Sequence, residues 1–350
     1  MSRVVESAVQ DEQQHQQTAQ HVFQLATGYI VSTALQAAVQ LRIADLLVDG
    51  ARSTSELARS GGVNEDALYR LLRALASVGI FEEVAPRQFG LNPAAALLRS
   101  DAPGSLYDMV RWICDPFHLR VYADVMHSVT TGETAVKKAV GIEVFDCFSQ
   151  NPELSRVFNN AMTSFSGMVV PAALDVYDFS GIRVLVDVAG GHGGVLTGVL
   201  DRYPAMRGIL CDLDHVIAGA SKRIASIGLQ GRVDCVTCDI FAAVPEGGDA
   251  YLMKHIIHDW DDARAGLILR NIRKVLPKDG RVILLESVLA PGNAPDFGKI
   301  LDLEMLLLPG GRERTADEFR SLFAANGFEL TKIVPTRSPL SVIEAVGSLR

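Results

Sequence analysis

The segment Lys254-His255-Ile256-Ile257-His258-Asp259-Trp260 carries the strongest chemical signal in the chain. It follows an apolar run with strand character, which places His258 at the carboxyl edge of a sheet, where open α/β sheets bind ligands. An imidazole there is a candidate general base, because it titrates near neutral pH. The next strand-like run ends at Glu286. Neighbouring strands lie about 4.8 Å apart, so that carboxylate can stand beside His258 and fix its tautomer. A third acid, Glu313, lies in the glycine-bounded loop Gly310-Gly311-Arg312-Glu313-Arg314-Thr315. His255 and His258 are three apart, but Cys or carboxylate partners at ligand spacing are missing nearby, so no metal is expected.

A second constellation is Val184-Leu185-Val186-Asp187-Val188-Ala189-Gly190-Gly191-His192-Gly193-Gly194, a strand running into a glycine-rich turn and then a helix. Glycines allow close backbone approach to a ligand, and a helix N-terminus offers free N–H groups. Nineteen residues past Gly193 another strand ends at Asp212, placed to bind a ribose diol. Asp239, after a third strand, suits the exocyclic amine of an adenine, or else acts as an ordinary loop acid. The nicotinamide fingerprint G-x-G-x-x-G fails at Leu196, where a third glycine or alanine would pack helix on strand. The pattern acid-x-G-x-G-x-G of S-adenosylmethionine sites fits at Asp187, Gly191 and Gly193, with Ala189 replacing one glycine.

From Ile182 onward, apolar runs at 183–188, 208–213, 233–238, 250–254, 281–286, 328–334 and 341–346 alternate with helical stretches. That alternation predicts a parallel sheet with helices on both faces. The last two runs are joined through Pro335 and Pro339 by a loop too short for a crossover helix, so they must pair antiparallel. A Rossmann-like sheet of seven strands with this ending has the architecture of class I methyltransferases. Ahead of it, apolar spacings of three and four predict a helix from Gly28 to about Leu47 after a polar, frayed start. Thr54 or Ser55 and then Asn64 are expected to cap the next two helices. Phe81–Val84 and Gln88–Leu91 flank Pro86 as a short hairpin, which completes a winged-helix-like order. Residues 1–100 hold 8 Arg, no Lys and 10 Asp plus Glu, a net of −2 that disfavours nucleic acid and favours a subunit-pairing scaffold. Residues 105–175 are expected to be helical, and their aromatics Trp112, Phe117, Tyr122, Phe145, Phe148, Phe158 and Phe165 read first as core and second as a pocket wall.

With 350 residues, 48% hydrophobic and 21% charged, the chain predicts two domains, 1–150 helical and 151–350 catalytic. The net charge of −8 speaks against anionic membranes and phosphate backbones. Cys114, Cys147, Cys211, Cys235 and Cys238 are odd in number and not framework-spaced. They are expected to be free thiols of a cytoplasmic protein. Neither a leader nor an uncharged apolar stretch of membrane-spanning length is expected.

Taken together these residues resemble the plant-type O-methyltransferase family that includes caffeic acid and acetylserotonin O-methyltransferases and bacterial polyketide-tailoring relatives. The resemblance runs from Leu68-Tyr69-Arg70-Leu71-Leu72 through Asn151-Pro152, Phe158-Asn159-Asn160-Ala161-Met162 and the glycine turn. It continues through Asp212-Leu213-Asp214 to the two specific segments, His258-Asp259-Trp260 and Gly311-Arg312-Glu313-Arg314-Thr315. It implies His258 as catalytic base held by Glu286 and Glu313. It implies S-adenosylmethionine held by Ser166, Gly190, Gly191, Asp212, Leu213, Asp239, Ile240 and Lys254. Phe148, Phe158, Met162, His255, Met305 and Leu308 fall where family members line the acceptor pocket, and a homodimer is implied. Ala189, His192 and Leu308 depart from the usual pattern, so a phenylpropanoid acceptor does not follow.

The implied reaction is methyl transfer to a hydroxyl of a small aromatic acceptor; the alternative is a relative that keeps the cofactor and does other tailoring chemistry. Complete proton transfer from a phenol, pKa near 10, to an imidazole near 6.5 costs about 4.8 kcal/mol. An aliphatic alcohol costs several units more, so phenols and enols are favoured.

Overall fold

A computed structural model describes residues 2–348 and divides the chain into two compact units, Met1–Asp115 and Pro116–Arg350. The division falls before the expected boundary at residue 150. The short helices between Pro116 and Gln150 group with the second unit because they pack on Pro152–Leu174 and Phe297–Leu307.

The first unit begins with one helix, Ser2–Gln40, and not with a frayed start. No proline interrupts these residues, and glutamine and alanine are good helix formers. The helix stops at Arg42, which takes a left-handed φ of 55°, and a short turn Ile43–Leu46 follows. The expectation about membrane-length stretches needs correcting. Glu12–Gln40 is long enough to cross a membrane and contains an 18-residue window apolar enough to do so, with mean hydropathy 1.3. Ser53, and neither Thr54 nor Ser55, caps the helix Thr54–Gly61, in a reciprocal box with Glu56. Asn64 caps Glu65–Ser77 as expected. The strands Glu82–Ala85 and Gln88–Gly90 form the hairpin, and Arg52–Ser53 pairs onto it as a third strand. Ile43, Leu57, Leu72, Leu75 and Phe89 form the buried centre of this unit.

The second unit is built on seven strands: β1 (Val184–Val188), β2 (Arg207–Asp212), β3 (Val233–Thr237), β4 (Ala250–Lys254), β5 (Arg281–Glu286), β6 (Phe328–Pro335) and β7 (Ser341–Gly347). Their order is β6-β7-β5-β4-β1-β2-β3. The first five are parallel, with Leu185 opposite both Gly208 and Ala250, while β7 runs antiparallel to β5 and β6. On one face Val186, Tyr251, Leu284 and Ile343 pack with Ile268, Leu269, Phe319 and Phe323. On the other the helix Gly194–Arg202 lies close on β2: a Cβ on Gly208 would meet Leu196 at 2.8 Å. Leu196 fills the place a third glycine takes in dinucleotide folds, and the strand's glycine makes the room. The strand order reverses at β1, so β1 and β4 flank the switch point where such sheets open a cleft.

Candidate active site

A cavity of about 370 Å³ opens at the carboxyl ends of β1, β2, β3 and β4. The glycine turn forms one wall. Ala189 takes φ 53°, Gly191 58° and Gly193 75°. The left-handed conformation costs an L-residue about 1–2 kcal/mol, and Ala189 adopts the backbone that favours a glycine there. Gly190 has no alternative, because a Cβ would lie 2.5 Å from the Asp187 carboxyl carbon and 2.6 Å from Leu210. Gly191 donates its N–H to Asp212 Oδ2 at 2.8 Å, and Leu213 donates to Oδ1 at 2.7 Å. The strand-end acid is thereby locked to the turn with lone pairs left over for a diol. A Cβ on Gly191 would meet nothing within 4 Å, so the turn leaves open space that a cofactor's chain can fill. His192 lines the cavity and rests its ring near Gly219, whose Cβ would lie 3.3 Å from Nε2.

Asp239, Ile240 and Leu213 line the next wall. Asp239 Oδ1 accepts from the Phe241 N–H at 2.9 Å, the ordinary loop-acid bond, while facing the same cavity. Ser166 joins from the helix Pro152–Leu174, packed against Gly194. Lys254 ends β4, with its ammonium 5.4 Å from the Phe165 ring centre. Burial lowers its pKa to about 8, and burial raises Asp187 to about 7.

An aromatic slot completes the cavity. Phe148 and Phe158 stack at 4.6 Å, and Phe145 lies 5.3 Å from Trp260. Met162 and His255 join them, His255 at φ 54° and sandwiched between Phe165 (5.2 Å) and His258 (4.4 Å). Burial holds the His255 imidazole well below its ordinary pKa, so it stays neutral. Met305 and Leu308 are buried on or just after the helix Phe297–Leu307 and do not line this cavity.

His258 stands behind the wall, 4% exposed. Its Nδ1 is hydrogen-bonded to Glu313 Oε1 at 2.6 Å and lies 3.8 Å from Glu286 Oε2. Glu286 spends its other oxygen on the Ile256 and Ile257 N–H groups, each at 3.0 Å. It therefore shapes the turn that carries His258, while Glu313 touches the ring. The opposite nitrogen, Nε2, lies 3.5 Å from Asp259 Oδ1, and Asp259 does line the cavity. Burial pushes Asp259 to about 7 and Glu313 to about 8, and it also raises Glu286. His258, Glu286 and Glu313 offer ligand atoms within 4.8 Å of one another. The short His258–Glu313 bond engages the nitrogen a cation would need, which favours a hydrogen-bonded triad.

Sequence reasoning assigned no role to His192, Asp259 or Trp260, all on the cavity wall, which Asp187, read as the acid of the glycine pattern, and Phe145 also line. Asp259 and Trp260 stood in the quoted motif, and Phe145 among the aromatics. Only the chain's folding shows that they share a wall.

The profile of the O-methyltransferase domain family matches residues 122–329, and that of the O-methyltransferase dimerisation domain matches 23–101. The chain is 44% identical to phenazine O-methyltransferase PhzM of Lysobacter antibioticus, over 93% of this chain and 95% of that one. The crystal structure of LaPhzM superposes with TM-score 0.91 at 43% identity, covering 94% and 99% of the two chains. An O-methyltransferase from neocarzinostatin biosynthesis, solved with S-adenosylmethionine and 2-hydroxy-5-methyl naphthoic acid, is 30% identical with TM-score 0.78, covering 90% and 95%.

Proposed function

Because the chain belongs to the S-adenosylmethionine-dependent O-methyltransferase family, we propose that it methylates a hydroxyl on a planar aromatic acceptor, with His258 as general base and as a tailoring step of secondary metabolism. The observation that carries this reading is the stacked slot of Phe148, Phe158, Phe145 and Trp260, which shares one cavity with Asp212, Asp239 and Lys254. A flat hydroxylated ring fits such a slot, and two relatives are named for or solved with acceptors of that kind, a phenazine and a hydroxynaphthoic acid.

The bound cofactor supplies an electrophilic methyl on a sulfonium. Asp212, Asp239 and Lys254 would hold the ribose and adenine, with Ile240 against the adenine ring, and Ser166, Gly190 and Gly191 the methionine side. The aromatic walls hold the acceptor flat and exclude water from the transfer line. Glu313, when ionised, keeps the proton of His258 on Nδ1 and leaves Nε2 free to accept. An acceptor hydroxyl that approached Nε2 past Asp259 would give up its proton there, which would leave its oxygen the nucleophile.

Homodimerisation through the first unit accounts for the exposed apolar residues of its long helix. Phe23, Leu25 and Tyr29 are 68%, 69% and 64% exposed. A subunit partner that covers them explains the same residues without a membrane. Five free thiols suit the cytoplasm as the setting. The direct test incubates the purified protein with labelled S-adenosylmethionine and 1-hydroxyphenazine or a hydroxynaphthoic acid. A product that carries the label, with one methyl in place of one hydroxyl hydrogen, supports the reading. No transfer to any hydroxyarene, with cofactor bound, refutes it.

A further inference from the structure

The loop Gly310–Thr315 meets the His258 turn along a contact that leaves no space for adjustment. A Cβ on Gly311 would lie 2.0 Å from His258 O and 2.3 Å from the Asp259 carbonyl carbon. Arg312 donates its N–H to His258 O at 2.8 Å. Arg314 is a cation with 1% exposure, and its guanidinium ties the two segments together. Nη1 donates to Ile257 O (3.1 Å) and Arg312 O (3.3 Å). Nη2 donates to Trp260 O (2.8 Å) and Asp262 Oδ1 (2.8 Å), and Nε donates to the same Asp262 oxygen at 3.0 Å. One side chain therefore grips the backbone on both sides of His258 and the backbone next to Glu313. From the other side Asp302, on the helix Phe297–Leu307, accepts the Glu313 N–H at 2.7 Å.

We propose that Arg314 and Asp302 are positioning residues for the methyl transfer: between them they fix Glu313 against His258 Nδ1 and, as opposite charges, set whether Glu313 is ionised. The proposal rests on the reading of His258 as general base. A buried arginine engaging three carbonyls and a carboxylate spends nearly its full donor capacity on this one joint. An unpaired buried guanidinium would be costly, so the joint is rigid. The charged and titratable groups facing Glu313 are His258, Glu286, Asp259, Asp302, Asp296 and Arg314. Burial raises Glu313 most, Asp302 raises it next, and Arg314 lowers it. Removing each charge must therefore move Glu313 in opposite directions.

The test is the pH dependence of turnover with S-adenosylmethionine and 1-hydroxyphenazine for Arg314→Met, Arg314→Lys and Asp302→Asn, each measured well below its melting temperature. Arg314→Met should move the acid limb up by about one pH unit and Asp302→Asn should move it down, the usual size for a nearby charge. Arg314→Lys keeps the charge but loses the fork, so it should keep the limb while turnover falls. Cofactor affinity by calorimetry should not change in any of them. If Arg314→Met does not fold, the Asp302→Asn limb and the Arg314→Lys split between turnover and limb still decide. Uniform loss of turnover with unmoved limbs overturns the proposal and leaves Arg314 a packing residue. His258→Gln run alongside separates the two readings: if it turns over normally, the base assignment has failed and not the joint alone.

Discussion

Nδ1 of His258 lies 2.6 Å from Oε1 of Glu313, and this bond, rather than one to Glu286, fixes the imidazole. Glu286 acts one step back, through the two amides of the turn that carries the ring. Its Oε2 and that of Glu313 are buried without a hydrogen-bond partner. Both carboxyls are thereby held above the usual carboxylate range by burial.

Glu313→Gln should lower turnover by roughly 10²–10⁴-fold, because an amide favours the wrong imidazole tautomer. Glu286→Gln retains an acceptor for the two amides and should cost less. Steady-state kinetics of the two variants at saturating cofactor decide the order, and a larger loss in Glu286→Gln reverses the assignment.

Gly311→Ala should be among the most damaging single-methyl changes in the chain. The added Cβ meets backbone atoms of His258, Asp259 and Trp260 at 2.0–2.5 Å, and backbone cannot rotate away. The expected result is turnover reduced beyond tenfold with the cofactor still bound, plus destabilisation of about 1–3 kcal/mol in urea melts. Gly228→Ala, at a left-handed glycine with open space around its Cβ, should leave turnover intact.

The unliganded protein should lose stability as pH rises from about 5 to 8. Glu313, raised to about 8, and Asp187 and Asp259, raised to about 7, each stay protonated in the folded chain where the unfolded chain has ionised. The folded state then binds more protons, and stability falls with pH through that window. Glu313→Gln should flatten the slope. Thermal melts at graded pH check this, and a slope unchanged in the variant contradicts it.

Light scattering at micromolar concentration should give twice the chain mass. Phe23→Glu together with Ile30→Glu should halve it, since both side chains are exposed on the long helix of the dimerisation segment. A wild-type monomer would sink the dimer.

The seven strands were legible from apolar runs, and the antiparallel ending from a loop too short to cross over. The glycine turn, Asp212 and the His258 segment were legible because backbone geometry there demands particular residue types. The start of the long helix was not: a polar, glutamine-rich stretch has no periodic apolar face to announce it. The Ser53 cap was misplaced by one or two residues because Ser53, Thr54 and Ser55 all qualify by type. The division of labour between Glu286 and Glu313 could not be read either. It depends on how far a loop 55 residues along the chain reaches over the turn, and strand spacing alone favoured Glu286. Nothing in the composition marks Arg314 as buried, because arginine is ordinarily a surface residue.

The base assignment meets its most direct test in the turnover of His258→Gln relative to wild type across phenols of graded acidity. A general base predicts a loss of about 10²–10⁴-fold for weakly acidic phenols. That loss should shrink steadily as the acceptor ionises without help, with fold and cofactor binding intact. A constant ratio across the series would mean that His258 does no proton transfer and serves the structure alone.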